Sequence, residues 1–418
     1  MTTPVNSANH GHINGLWQRY RGLPRNVFAI GLVSLLNDAS SEIIYPLLPV
    51  FLATSLGASA KAIGTIEGLA ESISSLLKLF AGYLSDRLAK RKSLVVAGYT
   101  LASVARPLLA FAQTWTQVLA IRLTDRVGKG IRTAPRDAMI ADTVRTEQRG
   151  LAFGFHRAMD HCGAVIGPII GYVLVVLFVA NSRLPTTGEF SKIFIVASIP
   201  ALLAVIVAVV FMRESPVKAP RGTDVVKLSL RGFDSNFKRF LVVLALFTLS
   251  NSSDSFLILR AIDSGVSVAM VPLLWAAHHA MKVLSSLLGG DLSDRLGRKR
   301  LIVSGWVLYA AVYAGFAFAT NKASLWVLFL IYGIYFGLVE GAEKALVADL
   351  VRPEQRGTAY GLYNLAFGIT VFPASLLMGM IWDWKGPATA FLFSAFMGAT
   401  AAALLLIFVR PYPDERIV

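Results

Sequence analysis

A single cysteine, Cys162, stands in the 418-residue chain, and it lies inside an apolar run. An internal disulfide is thereby excluded, and a cysteine-based metal site with it. Charge is scarce too: Asp, Glu, Lys and Arg make up 16% of the residues, against about a quarter in a soluble protein. Acids are scarcer than bases, 25 against 40, giving a net charge of +15. The chain has no G-x-x-x-x-G-K-[ST] loop, and no catalytic triad or metal-ligand cluster with usable spacing. These absences argue against an ATP-driven pump, an enzyme, a cofactor or a bound metal.

What is present is apolar surface. Hydrophobic residues form 55% of the chain and the mean hydropathy is +0.61, more than a soluble core absorbs and what a bilayer accepts. Runs of about 20 apolar residues read as spanning helices. Twelve such spans begin near Val27, Ala60, Ser93, Trp115, Leu151, Ser191, Phe240, Ser267, Leu301, Ser324, Thr358 and Pro387. Helices are expected because every backbone amide in hydrocarbon must be paired within its own segment. Residues 1–26 are polar and basic, so no cleavable signal peptide is expected.

Lys and Arg cluster in every second connection: Arg19, Arg21 and Arg25; Arg87 to Lys92; Arg145 and Arg149; Arg213 to Arg239; Arg295 to Arg300; Arg352 and Arg356; Arg410 and Arg416. The other connections carry isolated charges such as Lys61, Arg183 and Lys322. This alternation is an orientation signal rather than a nucleic-acid patch, and it places the basic loops and both termini in the cytoplasm. A bacterial inner membrane is the expected location.

The chain is also a tandem duplication. Gly82–Lys92, containing Asp86 and Arg87, returns as Gly290–Arg300, containing Asp294 and Arg295, 208 positions on (294 − 86). Ser40-Ser41-Glu42 returns as Ser252-Ser253-Asp254, and the stretch after Ala141-Asp142 as that after Ala348-Asp349. The expected architecture is an all-α membrane protein of twelve transmembrane helices in two pseudo-symmetric six-helix bundles. A cytoplasmic segment 1–26 precedes the bundle 27–212; a linker 213–239 leads to the bundle 240–410 and the tail 411–418. Such a duplicated helical membrane protein is a transporter candidate.

The two loop segments resemble the G-x-x-x-D-R-x-G-R-K-R motif of the major facilitator superfamily, with Ala89 in place of the usual Gly in the first copy. The resemblance implies a gate on the cytoplasmic side, in which Asp86 and Arg87 join Asp142, and Asp294 and Arg295 join Asp349. Arg122 occupies the place of the family's span 4 motif arginine, although the family more often has uncharged residues where Asp125, Arg126 and Lys129 stand. Gly163, Gly167, Pro168 and Gly171 in span 5 are similar to the antiporter motif G-x-x-x-G-P-x-x-G, associated with proton-driven exporters of the drug-efflux type. Read from the residues alone, those glycines make a smooth face for close helix packing, and Pro168 removes a helix hydrogen bond at a potential bend.

Ionisable residues inside the spans carry the remaining signal. Arg122, Asp125, Arg126, Lys129, Arg132 and Arg136 follow one face of span 4. One ionised side chain at mid-membrane costs about 2.5–3.5 kcal/mol, so this stripe must line water or meet acids. Candidate acids are Asp38 and Glu42 in span 1, Glu67 and Glu71 in span 2, Asp137, and Asp160 beside His156 in span 5. Three readings stand open. The cations Arg122, Arg126 and Lys129, with Asp38 and Glu42, bind an anionic solute; or Glu67, Glu71, Asp125, Asp160 and His156 carry protons; or the charges satisfy one another structurally, as expected for Arg136 and Asp137. The main expectation is a monomeric, proton-coupled secondary transporter exporting a small amphiphilic anion by alternating access. An organic-anion, phosphorylated-metabolite or siderophore exchanger without obligatory proton movement is the alternative, and a non-transporting sensor is the third.

Overall fold

The computed structural model describes residues 22–88, 90–145, 148–179, 184–214, 229–352 and 355–410. The expected segment 1–26 therefore lies outside the described residues up to residue 21, as do most of the linker and the tail 411–418. Among the described residues every regular element is helical. Span 1 is Arg25–Ile44 continued by Leu48–Thr54; spans 2 to 6 are Ala60–Leu88, Arg91–Leu108, Trp115–Thr143, Arg149–Phe178 and Thr187–Phe211. Span 7 is Ser235–Ser250 continued by Ser255–Asp263, and spans 8 to 12 are Met270–Leu296, Arg298–Phe318, Lys322–Asp349, Arg356–Lys385 and Pro387–Phe408.

Local sequence explains the boundaries. Spans 4 and 6 begin with capping boxes, in which Thr114 and Thr186 each accept from the amide three residues on, Gln117 and Glu189, whose side chains reach back. Span 1 breaks at Tyr45-Pro46-Leu47, where proline supplies no amide hydrogen. Span 7 breaks at the polar run Asn251 to Asp254. The two breaks occupy equivalent places in the two halves. Other ties repeat as well. Asn26 exchanges hydrogen bonds with the backbone of Arg213 at the end of span 6, and Asn236 does so with Arg410 at the end of span 12. Lys92 Nζ donates to Val209 O at 2.9 Å, and Lys299 Nζ to Leu406 O at 2.8 Å, closing the last turns of spans 6 and 12.

Nine spans are long and apolar enough to cross a membrane among the described residues. Spans 2, 4 and 8 fall short, and these carry the acids, the cation stripe and the pair His278-His279. Their charges turn into the protein, where neighbouring helices receive them.

The halves meet along two seams. In the first, span 2 packs against span 11 at the end away from the basic loops. A Cβ on Gly64 would stand 2.2 Å from Ser375 O, and one on Gly379 2.5 Å from Ala60 O. There Asp383 of span 11 accepts from the amides of Ala60 and Lys61 at 3.0 and 2.9 Å, capping span 2 from the other half. In the second seam span 5 meets span 8, with Gly171 beside Pro272. Toward the basic loops the halves diverge: Arg157, Glu340, Lys344 and Asn364 are all exposed there. The cleft between the halves is thus shut at one face and open at the basic one.

Overpacking a close backbone contact costs about 1–3 kcal/mol. Gly64→Leu is expected to lower the thermal midpoint of the detergent-solubilised protein, while Gly154→Leu, whose Cβ meets nothing within 4 Å, leaves it near that of the parent.

Candidate functional site

Span 4 divides its charges between partners. Arg122 makes a forked pair with Glu67, Nε to Oε1 at 3.1 Å and Nη2 to Oε2 at 2.7 Å. Asp125, one turn on, accepts from Arg106 Nε of span 3 at 3.1 Å. Arg106 also donates to Asn37 O and Oδ1 of span 1 at 2.9 and 3.0 Å, and Asn37 donates to Asp38 Oδ1 at 2.9 Å. The four charged side chains are less than a tenth exposed. Spans 1 to 4 are therefore locked by two ion pairs whose remaining donors are mostly satisfied, the condition under which buried charge is tolerated.

The next cations behave differently. Arg126 and Lys129 are half-buried and make no ion pair among the described residues, and Arg126 Nε has no hydrogen-bond partner. They interact electrostatically with Glu71 at longer range, and Lys78 of span 2 joins them. Glu71 itself is half-buried and makes no ion pair among the described residues. Below this group Arg132 stacks over Tyr99, 4.5 Å from the ring centroid, and Arg136 pairs with Asp137 at 2.9 Å. Tyr99, Ser34, His156 and Asp160 form a string: Tyr99 to Ser34 at 3.3 Å, Ser34 to His156 Nε2 at 2.8 Å, and His156 Nδ1 to Asp160 at 3.6 Å. Asp160 Oδ1 is buried without a hydrogen-bond partner.

The second half answers with aromatics. At the duplication offset of 208 in span 8 (294 − 86), Glu67 corresponds to Trp275 and Glu71 to His279. At the offset of 207 in span 10 (349 − 142), Arg122, Asp125 and Lys129 correspond to Phe329, Tyr332 and Phe336. Trp275, His278 and Tyr332 stack in sequence at 5.0 and 5.3 Å, and Phe336 meets Tyr332 edge-on at 5.1 Å. Asp254 accepts from the Tyr332 hydroxyl at 2.7 Å, and Lys282 Nζ sits 4.4 Å over the Phe336 ring. Glu42 crosses the seam, accepting from Trp275 Nε1 at 2.8 Å with His279 Nε2 3.6 Å away. The charged side of the cleft faces a half whose equivalent positions are aromatic: Trp275, His278 and Tyr332 are buried in it, and Phe336 is half-buried.

The Major Facilitator Superfamily model matches residues 30–339 and 240–418. An uncharacterized MFS-type transporter of Methanocaldococcus jannaschii is 36% identical over 93% of this chain and 96% of its own length. The multidrug resistance protein MdtH of Aeromonas hydrophila is 22% identical over 93% of this chain and 96% of its own. A bacterial homolog of the human lysosomal transporter Spinster, in an inward-facing and occupied crystal structure, aligns with a TM-score of 0.75 at 16% identity, covering 92% of this chain and 96% of that one.

The chain belongs to the major facilitator superfamily. It is an integral membrane transporter of small-molecule solutes, working by alternating access between two six-helix halves, and not an enzyme. In the superfamily's loop motifs Asp142 pairs with Arg91 and Asp349 with Arg298, both separated by 207 between halves (298 − 91). The side chains of Asp86, Arg87 and Asp294 lie outside those described; Arg295 is exposed. The span 5 motif packs on span 1. A Cβ on Gly163 would stand 2.6 Å from Leu35 O, and one on Gly167 2.5 Å from Ala39 O, while Gly171 has slightly more room. The motif thus seats the segment bearing Asp38 and Glu42. Pro168 does not interrupt the helix, which runs unbroken from Arg149 to Phe178.

Sequence reading overlooked Arg106, Asn37 and Lys78, and took Trp275 for a belt or core aromatic. Arg106 had a readable signal, a lone arginine inside span 3 next to Pro107. The indole of Trp275 as a cross-half donor had none.

Stripping one partner from a buried pair costs about 3–5 kcal/mol. Arg106→Ala is expected to lower the thermal midpoint strongly, whereas Arg126→Ala, which breaks no ion pair, leaves it nearly unchanged; equal losses in both variants would contradict this division.

Proposed function

We propose that the transporter exports a small amphiphilic organic anion in exchange for protons. The observation that carries this reading is the pair of half-buried cations Arg126 and Lys129, without an ion pair among the described residues, together with the half-buried Phe336 at the equivalent face of the second half. Guanidinium and ammonium groups suit carboxylate or phosphate, and Phe336, half-buried where Trp275 and Tyr332 are buried, suits the apolar remainder. Arg122 is held by Glu67 and orients the site from behind. Asp38 lies at its margin, and Glu42 links it to the seam.

Glu71, unpaired beside the two cations, is the first candidate for exchanging its proton with solute. Asp160, at the end of the string through His156 and Ser34, is the second. Glu67 and Asp125 are already paired, with Arg122 and Arg106, and come after these two. The exporting direction draws on the span 5 resemblance to antiporters and on the name of the multidrug resistance relative. In this reading the units are the bundles 27–212 and 240–410 joined by the linker 213–239. The protein works as a monomer in a bacterial inner membrane with its basic face in the cytoplasm, so the cleft described above is inward-open.

A ligand selective for the native state stabilises it by RT ln(1 + [L]/Kd), about 2.7 kcal/mol at a hundredfold excess over Kd. In a thermal-shift screen of charge-matched amphiphiles, anions are expected to raise the midpoint, and Arg126→Ala and Lys129→Ala to abolish the rise. Stabilisation by cations instead sinks the anion reading. For an anion hit in proteoliposomes, solute movement without opposing proton flux identifies an exchanger that does not use protons.

A further inference from the structure

Glu343 of span 10 is 9% exposed, and both its oxygens are engaged by neutral donors. Trp306 Nε1 of span 9 donates to Oε1 at 3.0 Å, and the Tyr363 hydroxyl of span 11 to Oε2 at 2.9 Å. No ion pair reaches it among the described residues. The charged neighbours Glu340 and Lys344 pair with each other at 3.3 Å, and Lys282 of span 8 lies 3.8 Å from Glu340. Tyr335 is the further titratable group near it; from span 7 the approach is made by Phe247, stacked on Trp306 at 4.0 Å.

A carboxylate buried with neutral donors alone carries an uncompensated desolvation cost that protonation removes. The partners serve either state. Indole is a donor only, so Oε1 accepts throughout, while the hydroxyl of Tyr363 donates to the carboxylate and accepts from the acid. Both carboxyl oxygens therefore keep a hydrogen bond in either charge state.

The duplication gives independent support. Glu343, Trp306 and Tyr363 correspond, each at 207 positions, to Arg136, Tyr99 and His156. Both halves hold a polar node where three equivalent spans converge. In the first half the charge is neutralised by the adjacent Asp137. In the second, Lys344 takes the Asp137 place and turns to Glu340, leaving Glu343 without a counterion.

We infer that Glu343 is a proton-binding site of the second half, separate from the acids of the first and loaded from the open cleft past the exposed Glu340 and Lys344. The inference depends neither on Arg126 nor on the identity of the solute. Infrared difference spectra of the full-length protein in liposomes, taken between acid and alkaline buffer, test it directly. A protonated-carboxyl C=O band should appear on acidification, shift in heavy water, be lost in Glu343→Gln and persist in Glu71→Gln. Tyr363→Phe keeps the carboxyl but removes a hydrogen bond, so it should move the same band to higher wavenumber even if the glutamine variant fails to fold. A spectrum unchanged by Tyr363→Phe, or by a folded Glu343→Gln, overturns the assignment.

Discussion

Hydrocarbon does not solvate ions, and the rest of this structure depends on that constraint. Every ionised side chain in a span must find a counterion, a strong donor or water, or the span does not insert cheaply. The charges of spans 2, 4 and 8 consequently fix which faces of those helices turn inward. Once Glu67 must meet Arg122 and Asp125 must meet Arg106, the rotations of spans 2, 3 and 4 follow, and Asn37 draws in span 1. Lipid supplies no hydrophobic preference between packed and unpacked helices. The ion pairs and the glycine contacts therefore do the ordering that apolar burial does in a soluble core.

Duplication preserved the ties that shape each half and altered the side chains between the halves. The breaks in spans 1 and 7, the asparagine and lysine ties at the ends of spans 6 and 12, and the arginine–aspartate pairs of the loops all recur. These features define the shape of a half and its relation to the basic face, and alternating access needs two halves of like shape. The residues between the halves diverge, glutamate and arginine on one side standing where tryptophan and phenylalanine stand on the other, while Glu42 and Asp254 keep an acid in both. A single asymmetric solute between the halves has no use for two identical walls.

Much of this was legible in the sequence for a physical reason. Hydropathy over a window of span length is a sum of many residues, so the twelve spans and their duplication survive local noise. Pairing is a property of single contacts, and here the reading was incomplete. Glu67 and Glu71 share a helical face, yet only the first meets Arg122; one turn of rise separates a structural counterion from a free acid. The stripe on span 4 reads as one feature but divides into a paired part at Arg122 and Asp125 and an unpaired part at Arg126 and Lys129. That division is set by Arg106, a residue in another span. The loop motifs suggested Asp86 and Arg87 beside Asp142, and Asp294 and Arg295 beside Asp349; the ion pairs described there are made by Arg91 and Arg298, which the motif spacing did not single out.

The same division bears on how binding could reach the seam. The paired network makes spans 1 to 4 a stiff block, so a solute bound as proposed at Arg126 and Lys129 is not accommodated by shifting those helices past one another. Stress is passed instead to the contacts between halves, which are cheaper to break: helix backbones touching at glycine, the cap of Asp383 on span 2, and the hydrogen bond from Trp275 to Glu42. Glu42 projects from the same helix as Asp38, whose position Asn37 and Arg106 tie to Asp125, next to the free cations. Any change in charge at the cations must alter the balance at that seam, and by linkage the opening of the seam must alter affinity at the cations by the same factor. A transporter that placed its free charges on a loose helix would lose that reciprocity to local relaxation.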